Sequence, residues 1–478
     1  MINIEAVSPR LQLLLSFIFT LAIGLLWYKT KMWAVPAVLV IAPLFLILVL
    51  RVPFYIVITF IIFSYFRIHE AFPILMPFRI PLAFSLMSFF VLGWHIYLSN
   101  NIKVYWSTEL TFVCLFLGWA GFGIFFSYNP GASITLFSNV VIKIWVMTIA
   151  ICWLVRTIHH FRIATYLYVV AGVLVGLKAI SNKLQGIGLV EGTRVTISRE
   201  LGSMIGDPND LSLVLLFPMS FTLSNLLQPN IGKFHRFLLA VAYVILFWAI
   251  IATQSRGGLM GIMAVTGYFA IKRIKNKIYV LAGAAALLPI LLLVAGIAGR
   301  SSGGAAEEGI DESAMGRIYA WIASWGMAVE NPLTGVGINN FYLNYYLFSP
   351  FWDGKNHAVH STWFQVLGET GFVGLGLLIA LITVTFKQLW RTEVNSRALP
   401  IGERNTIVTC NDGIFAGLIA FCIAGTFLTQ GFTWPLYILL SMNVALAKIL
   451  SEKLAINVSH NTPNEDPKKW LKEVGNNR

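Results

Sequence analysis

The sequence IYVLAGAAALLPILLLVAGI, at residues 278–297, is a run of 20 residues without a charged side chain. A run of about 20 apolar residues is long enough to cross a bilayer as an α-helix. Comparable runs recur along the chain, in which 57% of the residues are hydrophobic and 12% are charged. Soluble domains carry about 25% charged residues. The sequence therefore predicts an all-α fold, a polytopic membrane helix bundle.

Fourteen apolar segments are candidates for the helices of this bundle. Two of them, 54–66 and 257–271, are short for a full crossing, so the prediction is about 12–14 transmembrane helices. The segments are 11–27, 32–50, 54–66, 82–98, 110–126, 140–155, 163–180, 211–227, 237–253, 257–271, 278–297, 365–386, 413–429 and 434–450.

Two polar loops and a polar tail divide the chain into four predicted parts. The larger loop is expected to contain amphipathic helices and the catalytic region. The parts are a transmembrane bundle at 1–297 with a polar loop at 181–210, the large loop at 298–360, the last transmembrane helices at 361–450, and the tail at 451–478.

The formal net charge of +13 reflects membrane topology rather than a nucleic-acid partner. Lys and Arg concentrate in short cytoplasmic loops of membrane proteins. Counting the spans alternately places four basic clusters on one side, so we expect both chain termini in the cytoplasm and the two polar loops on the other side. The clusters are 156–162, 233–236, 272–277 and 387–404.

The large loop contains the pattern of an amphipathic helix. Residues 311–313 favour a helix start, and Asn331-Pro332 favours a stop, which predicts a helix over 314–330. Side chains spaced by four residues share one face of a helix, and such a face suits the membrane interface. These side chains are Arg317, Trp321 and Trp325.

The first candidate for chemistry is an arginine at the outer end of a span. Arg256 stands in the string Gln254-Ser255-Arg256-Gly257-Gly258. A guanidinium beside glycines, whose backbone a ligand can approach closely, suits a phosphate or diphosphate. The alternative interpretation is an arginine that extends to the interface and anchors the span.

The smaller loop supplies Arg194, Arg199 and Asn209 as candidate substrate ligands. Arg199 is the better anion ligand of the two arginines in this interpretation because it lies nearer the next span. Pro208 in a turn, followed by Asn209 or Asp210 as a helix cap, accounts for much of the same string structurally. Capping and binding therefore remain alternatives for Asn209.

His360 ends the large loop, directly before an apolar segment. Histidine exchanges a proton near neutral pH, so a neutral His360 is able to take a proton from a hydroxyl whose oxygen attacks. Arg317 is the lone basic residue on its predicted helix. His357 lies three residues before His360, but no third ligand has suitable spacing, so we predict no metal and no cofactor.

The order of these residues resembles the O-antigen ligase and polymerase superfamily of bacterial envelope glycosyltransferases. The most specific matching string begins at His360 and consists of His, Ser, nine residues, Gly, two residues and Gly. The resemblance covers roughly residues 190–390. The matching strings are Asp207-Pro208-Asn209-Asp210, Ser255-Arg256-Gly257, Gly316-Arg317 with Trp321, Asn331-Pro332-Leu333-Thr334-Gly335-Val336-Gly337, and His360-Ser361 with Gly371 and Gly374.

The resemblance implies a reaction and roles for these residues. Members move a glycan from undecaprenyl diphosphate to an acceptor hydroxyl on the periplasmic face of the bacterial inner membrane, in an inverting and metal-independent reaction without a cofactor. His360 would be the base on the acceptor hydroxyl. Arg256 and Arg317 would hold the diphosphate and stabilise the leaving group, with Arg199 as a further ligand. Trp321 either stacks on sugars or sits in the aromatic interface belt.

The resemblance leaves the acceptor open. Ligases transfer the glycan to lipid A–core, polymerases transfer it to another lipid-linked repeat, and related members glycosylate proteins. The His-Ser string favours the ligase, so the expected partners are the lipid-linked donor, a glycan or lipid A–core acceptor, and the bilayer. A membrane transporter is the rival from another class, but Lys143 and Lys178 are the notable ionisable residues within spans, and the conspicuous polar groups lie outside them.

Overall fold

The computed structural model describes Tyr28 and residues 49–99, 104–294, 312–352 and 354–461. Among these residues, eight helices are long and apolar enough to cross a membrane. This result confirms the predicted all-α, polytopic membrane bundle.

Several predicted features lie outside the described residues. They are the span 11–27, the span 32–50 except for its last two residues, the start of the large loop at 298–311, and the last part of the tail at 462–478.

The described helices follow the predicted apolar segments with longer bounds in several places. In chain order they are α1 Pro53–Tyr65, α2 Ile68–Ala71, α3 Ile80–Gly93, α4 Thr108–Phe122, α5 Pro130–Leu136, α6 Ile142–Leu154, α7 Ile158–Gln185, α8 Pro208–Leu226, α9 Lys233–Ala252, α10 Arg256–Arg273, α11 Lys277–Val294, α12 Glu312–Glu330, α13 Phe341–Phe348, α14 Thr362–Asn395, α15 Ile401–Ala424 and α16 Trp434–Asn461. Strands β1 Leu189–Val190 and β2 Arg194–Val195 form one antiparallel hairpin between α7 and α8.

The chain divides into two compact units, and the smaller one consists of residues 1–60 and 79–105. Within it, Val49, Ile56 and Val91 form a buried apolar cluster. The Nε2 atom of His95 lies 2.7 Å from the carbonyl oxygen of Leu50, which joins the two segments of this unit.

Helix α8 is the central helix of the larger unit, with α7, α9, α10 and α15 as neighbours. Polar residues such as Ser212 and Asn225 lower its apolar character, but they are buried against protein rather than lipid. Glycines on the neighbours allow close approach, because a Cβ at Gly261 of α10 would lie 2.2 Å from the side chain of Leu216. The polar α8 is therefore enclosed by more apolar helices.

Helix α14 is kinked at Gly371, which has φ +70°. A Cβ at this position would lie 2.6 Å from the carbonyl oxygens of Pro332 and Leu333, so the turn after α12 docks directly on the kink. The indole N–H of Trp119 donates to Thr370 O at 3.2 Å, which satisfies a carbonyl at the kink. Gly371 thus serves both a bend in the helix and a contact with the loop.

At the other end of α14, a group of charged side chains ties three helices together. Lys272 Nζ of α10 lies 2.5 Å from Asp412 Oδ1 of α15 and 2.9 Å from Glu393 Oε1 of α14. The hydroxyl of Tyr268 donates to Asp412 Oδ1 at 2.9 Å. These contacts fix the register of the helices whose opposite ends carry the candidate site.

Candidate active site

The backbone holds His360 in an uncommon conformation. Its φ of +47° lies in the left-handed region, which residues with a Cβ rarely adopt. The next residue, Ser361, caps α14 by accepting the N–H of Phe364 at 3.5 Å. The preceding residue, Val359, is buried, and its carbonyl accepts the indole N–H of Trp321 at 3.1 Å. Backbone strain between fixed neighbours is typical of functional sites.

Charged groups from distant parts of the chain meet around the half-buried imidazole of His360. Burial lowers the pKa of His360 below the ordinary histidine value, and the positive charge of Arg317 lowers it further. Asp207 acts in the opposite direction, while Arg194 and His357 add smaller lowering effects. The imidazole is therefore mostly neutral at pH 7 and able to accept a proton.

Arg194 is the buried arginine of this group. Its Nε donates to Thr253 O at 3.2 Å, and its Nη2 donates to Asn209 Oδ1 at 2.7 Å. Glu191 Oε1 lies 3.7 Å from Nη1. The β1–β2 hairpin brings this guanidinium between the end of α9 and the start of α8, and its charge lowers the pKa of His360.

Asp207 is the N-cap of α8. Its Oδ1 accepts the backbone N–H groups of Asn209 at 2.7 Å and Asp210 at 3.2 Å. The prediction that Asn209 or Asp210 caps this helix was wrong, because Pro208 fits the first helical position and the cap is the residue before it. Asn209 instead offers its side-chain oxygen to Arg194.

Glu70 supports the segment that leads to Asp207. Its carboxylate accepts the hydroxyl of Ser203, and its backbone carbonyl accepts the hydroxyl of Ser198 at 2.5 Å. Burial by itself would raise the pKa of Glu70, but the hydrogen bonds from His69 and Ser203 and the charge of Arg67 hold it at about 2. The carboxylate therefore stays charged throughout the physiological pH range.

Arg256 begins α10 beside the same group of residues. Ser255 caps this helix by accepting the N–H of Gly258 at 3.2 Å. A Cβ at Gly257 would lie 3.5 Å from Ala424 O, which brings the start of α10 against the end of α15. The guanidinium of Arg256 thus starts from a helix terminus whose N–H groups also favour an anion.

The segment after α15 connects these elements to His360. Thr362, two residues after the histidine, donates its hydroxyl to Leu428 O at 2.7 Å and accepts the N–H of Gln430 at 3.2 Å. The Gln430 amide donates in turn to Asp210 Oδ1 at 2.6 Å. The starts of α8, α10 and α14 therefore converge on one side of the larger unit.

Arg199 takes a different place from the other candidates. It is exposed in the 3-10 turn Arg199–Leu201, and within the described residues its charge is not among those that act on His360. The structure therefore groups Arg317, Arg194 and Asn209 with His360 and puts Arg199 on the surface of the loop. Arg256 begins α10 three residues after Thr253, whose carbonyl accepts Arg194, but the charge of Arg256 is not among those that act on His360 in the described residues.

Trp321 forms one wall of an apolar groove next to this group. Its ring stacks on Phe364, with centroids 5.1 Å apart and planes inclined by 9°. The predicted helix that carries it is confirmed as α12. The groove has a volume of about 360 Å³ and is lined by Ile318, Trp321, Ile322, Trp325 and Phe364.

The described residues contain no group of three or more His, Cys, Asp or Glu side chains arranged to hold a metal ion. His357 packs its ring edge-on against Tyr345, with centroids 5.4 Å apart. The contact gives His357 a packing role in the loop before His360.

Comparison with known families identifies the central part of the chain. Residues 241–379 match the family model described as O-antigen ligase. This region belongs to the O-antigen ligase and polymerase superfamily. The resemblance predicted from the sequence is thus confirmed, and the superfamily implies a membrane glycosyltransferase of the ligase or polymerase type. No curated protein matches the chain.

The superfamily match includes only part of the candidate site. Arg256, Arg317, Trp321 and His360 lie within residues 241–379, whereas Arg194 and the start of α8 lie before them. Two residues that were not predicted to have a site role also join the group, although Asp207 belongs to one of the matching strings, and each had a signal in the sequence. Asp207 precedes a proline that can begin a helix, and Gln430 is an amide between two apolar segments.

Proposed function

We propose that the chain transfers a glycan from undecaprenyl diphosphate to an acceptor hydroxyl on the periplasmic face of the inner membrane. The superfamily implies the general class of this activity. The observation that carries the finer proposal is the half-buried His360 in its left-handed backbone conformation, whose pKa is lowered by burial and by the charges of Arg317 and Arg194. A base next to fixed cations suits a hydroxyl acceptor and a diphosphate leaving group.

In the proposed reaction, the acceptor oxygen forms a bond to the anomeric carbon of the donor sugar. The proton of the hydroxyl passes to His360 as the bond between the anomeric carbon and the phosphate oxygen breaks. The electron pair of that bond leaves with undecaprenyl diphosphate. Attack from the face opposite the leaving group inverts the anomeric centre, and the proposed mechanism uses no metal.

Three arginines supply the positive charge for the leaving diphosphate in this proposal. Arg317 and Arg194 act on the same imidazole, so a diphosphate that contacts them lies within reach of the reacting hydroxyl. Arg256 adds a guanidinium at a helix N-terminus. Fixed cations in a site with little water stabilise developing negative charge without the cost of reorganising solvent.

The apolar groove beside Trp321 fits the lipid part of the donor. It contains only apolar surface from α12 and the start of α14, and Trp321 also contacts the residue before His360. A polyisoprenoid chain in this groove would bring its diphosphate to Arg317, which lies one helical turn before Trp321.

The ligase, with lipid A–core as acceptor, is the form of this activity that we propose, because His360-Ser361 and the glycine spacing favour it. We also propose that both termini are cytoplasmic, since this places the four basic clusters inside. A polymerase of O-antigen or exopolysaccharide, or a protein O-oligosaccharyltransferase, would use the same groups on a different acceptor.

The test is a deletion strain complemented with the wild-type gene or with His360→Ala. Lipopolysaccharide and lipid-linked glycan are separated on gels. For a ligase, the deletion and the variant should leave long chains on undecaprenyl diphosphate and bare lipid A–core. Lipid A–core capped with a single repeat would show a polymerase instead. If neither the lipopolysaccharide nor the lipid-linked glycan changes in the deletion strain, transfer to either acceptor is contradicted.

The pH profile offers a test of the surroundings of His360. Asp207→Asn removes a negative charge that raises the pKa of His360, whereas the asparagine oxygen can still accept the N–H groups at the start of α8. The pKa of His360 should fall in this variant. The acidic limb of the profile of kcat/KM against pH should therefore move to lower pH. The measurement is transfer rate against pH.

The matched control for this profile is Glu200→Gln, which removes an exposed carboxylate from the same loop. The charge of Glu200 is not among those that act on His360 in the described residues. The acidic limb of the pH profile of this control should therefore stay at the wild-type position. An upward movement in Asp207→Asn, or equal movements in both variants, would show that Asp207 does not act on the base.

A further inference from the structure

A buried glutamine lies between the starts of two helices that carry the candidate site. Gln430 is 2% exposed, and it belongs to the segment between α15 and α16. Its side-chain Nε2 donates to Oδ1 of Asp210, in the first turn of α8, at 2.6 Å. Its backbone N–H donates to Oγ1 of Thr362, the first residue of α14, at 3.2 Å. One residue therefore bonds to both helix starts.

The surroundings of Gln430 fix the orientation of its side chain. Its Oε1 accepts the hydroxyl of Thr433 at 2.5 Å, which leaves the amide nitrogen as the group that faces α8. The next residue, Gly431, donates its N–H to Gln365 Oε1 of α14 at 2.9 Å. A Cβ at Gly431 would lie 2.6 Å from the side chain of Val366, so this segment packs directly on the first turns of α14. The glutamine is therefore held on the α14 side while it bonds to α8.

Each of the two helix starts carries part of the group around the imidazole. His360 lies two residues before the start of α14. Asn209, in the first turn of α8, accepts Nη2 of Arg194 at 2.7 Å, and the charge of Arg194 acts on His360. The bond from Gln430 to α8 therefore links the proposed base to an arginine that the proposed reaction assigns to the diphosphate.

The partner of this glutamine on α8 is a carboxyl group that precedes the apolar segment 211–227. Burial and the charge of Asp207 raise the pKa of Asp210 to about 8, against the lowering effect of the hydrogen bond from Gln430. No basic side chain of the described residues is among the groups that act on this carboxyl. The amide of Gln430 donates to an oxygen of Asp210 whether the carboxyl is protonated or ionised. An acidic side chain in place of the amide would lose this bond once both groups were ionised.

We propose that Asp210 and Gln430 form a positioning pair for the transfer reaction. The pair holds the start of α8, with Arg194, against the start of α14, with His360. The inference rests on the proposed function, because it gives the two residues a role in that reaction. Neither residue of the pair touches the reacting atoms. Loss of the pair should therefore appear in kcat, while KM for the donor changes much less.

The experiment uses the purified full chain, with undecaprenyl-diphosphate-linked glycan and lipid A–core extracted from the deletion strain as substrates. Gln430→Ala should lower kcat by about 10- to 100-fold, because a small misplacement of reacting groups has effects of this size, and it should change KM by less than about three-fold. Asp210→Ala should cost about as much. The double alanine variant should cost no more than either single one, because the two residues act as a unit.

The matched control for these variants is Asn225→Ala. Asn225 is also a buried amide, but it lies at the other end of α8 and donates to Phe221 O of the same helix. Its loss affects the stability of the helix rather than the contact between α8 and α14. The kcat of folded protein, selected by size exclusion, should stay within about two-fold of the wild type in this control, which is the effect of a few tenths of a kcal/mol.

Exchange of the two side-chain types gives a readout that a loss of packing would not give. Gln430→Glu places a second carboxyl beside Asp210, and two carboxyls share a proton at low pH but repel each other once both are ionised. The rate of this variant relative to the wild type should fall at least about ten-fold between about pH 6.5 and pH 9.5. Adding Asp210→Asn restores one amide and one carboxyl in exchanged positions. The relative rate should then recover and lose its dependence on pH.

The outcomes distinguish the pair from the reaction that it serves. Absence of transfer by the wild type would overturn the proposed function and, with it, the role of the pair. If the wild type is active, a wild-type kcat in Gln430→Ala would overturn the pair alone. Independent losses that multiply in the double alanine variant, or no recovery when Asp210→Asn is added to Gln430→Glu, would overturn it as well.

Discussion

Replacement of His360 by alanine is expected to lower the rate of glycan transfer by about 100- to 10,000-fold, which is the usual contribution of a positioned general base. Alanine keeps a Cβ, so the strain of the left-handed backbone does not change. Ser361 still caps α14, and Trp321 still bonds to Val359. The variant should therefore fold and insert as the wild type does. The measurement is transfer rate by the purified chain, with size-exclusion profiles to check folding.

His357→Ala is the matched control for this variant. His357 stands in the same loop, and its ring packs against Tyr345. If His360 is a base, loss of His357 should cost only a few-fold in rate, since it removes packing and a weak charge effect. Equal losses in the two variants would favour a shared role, such as a metal held by both histidines. Wild-type activity in His360→Ala would rule out the base.

The sequence predicted the helices well where local chemistry decides them. The helix 314–330 appears as α12 at Glu312–Glu330, because helix-start residues precede it and Asn331-Pro332 stops it. Eight of the predicted apolar segments correspond, within the described residues, to helices long and apolar enough to cross a membrane. The bounds of the spans were predicted less well. Helix α7, for example, continues beyond the predicted segment 163–180 to Gln185 through polar residues, of which Asn182 is buried and donates to Thr196 O at 3.0 Å.

The sequence was less informative about which loop residues meet. Arg199 was preferred over Arg194 because it lies nearer α8 along the chain, but the β1–β2 hairpin folds Arg194 back onto Thr253 and Asn209. The distance along a loop does not determine the distance in space. For the same reason, no local pattern showed that Trp321 would bond to Val359 or that Gln430 would bond to Asp210. These contacts join segments that are brought together only by helix packing.

Arg317→Gln is expected to lower kcat/KM by about 100- to 1,000-fold, the loss that follows when one fixed donor to developing negative charge is removed. It should also move the acidic limb of the pH profile. The charge of Arg317 lowers the pKa of His360, so the pKa rises when the charge is removed, and the limb moves to higher pH. A merely structural arginine would reduce activity without this movement. Both effects are measured in one set of rates against pH.

Arg317→Lys separates the two roles, because lysine keeps the charge but cannot form the paired hydrogen bonds of a guanidinium. The limb should stay near the wild-type position, while the rate should recover only in part. Lys355→Gln, which removes an exposed cation of the same loop, should retain most of the activity. Full recovery in Arg317→Lys would mean that a point charge is sufficient. An unmoved limb in Arg317→Gln would mean that the guanidinium does not act on His360, and the proposed site would then need another source of positive charge beside the base.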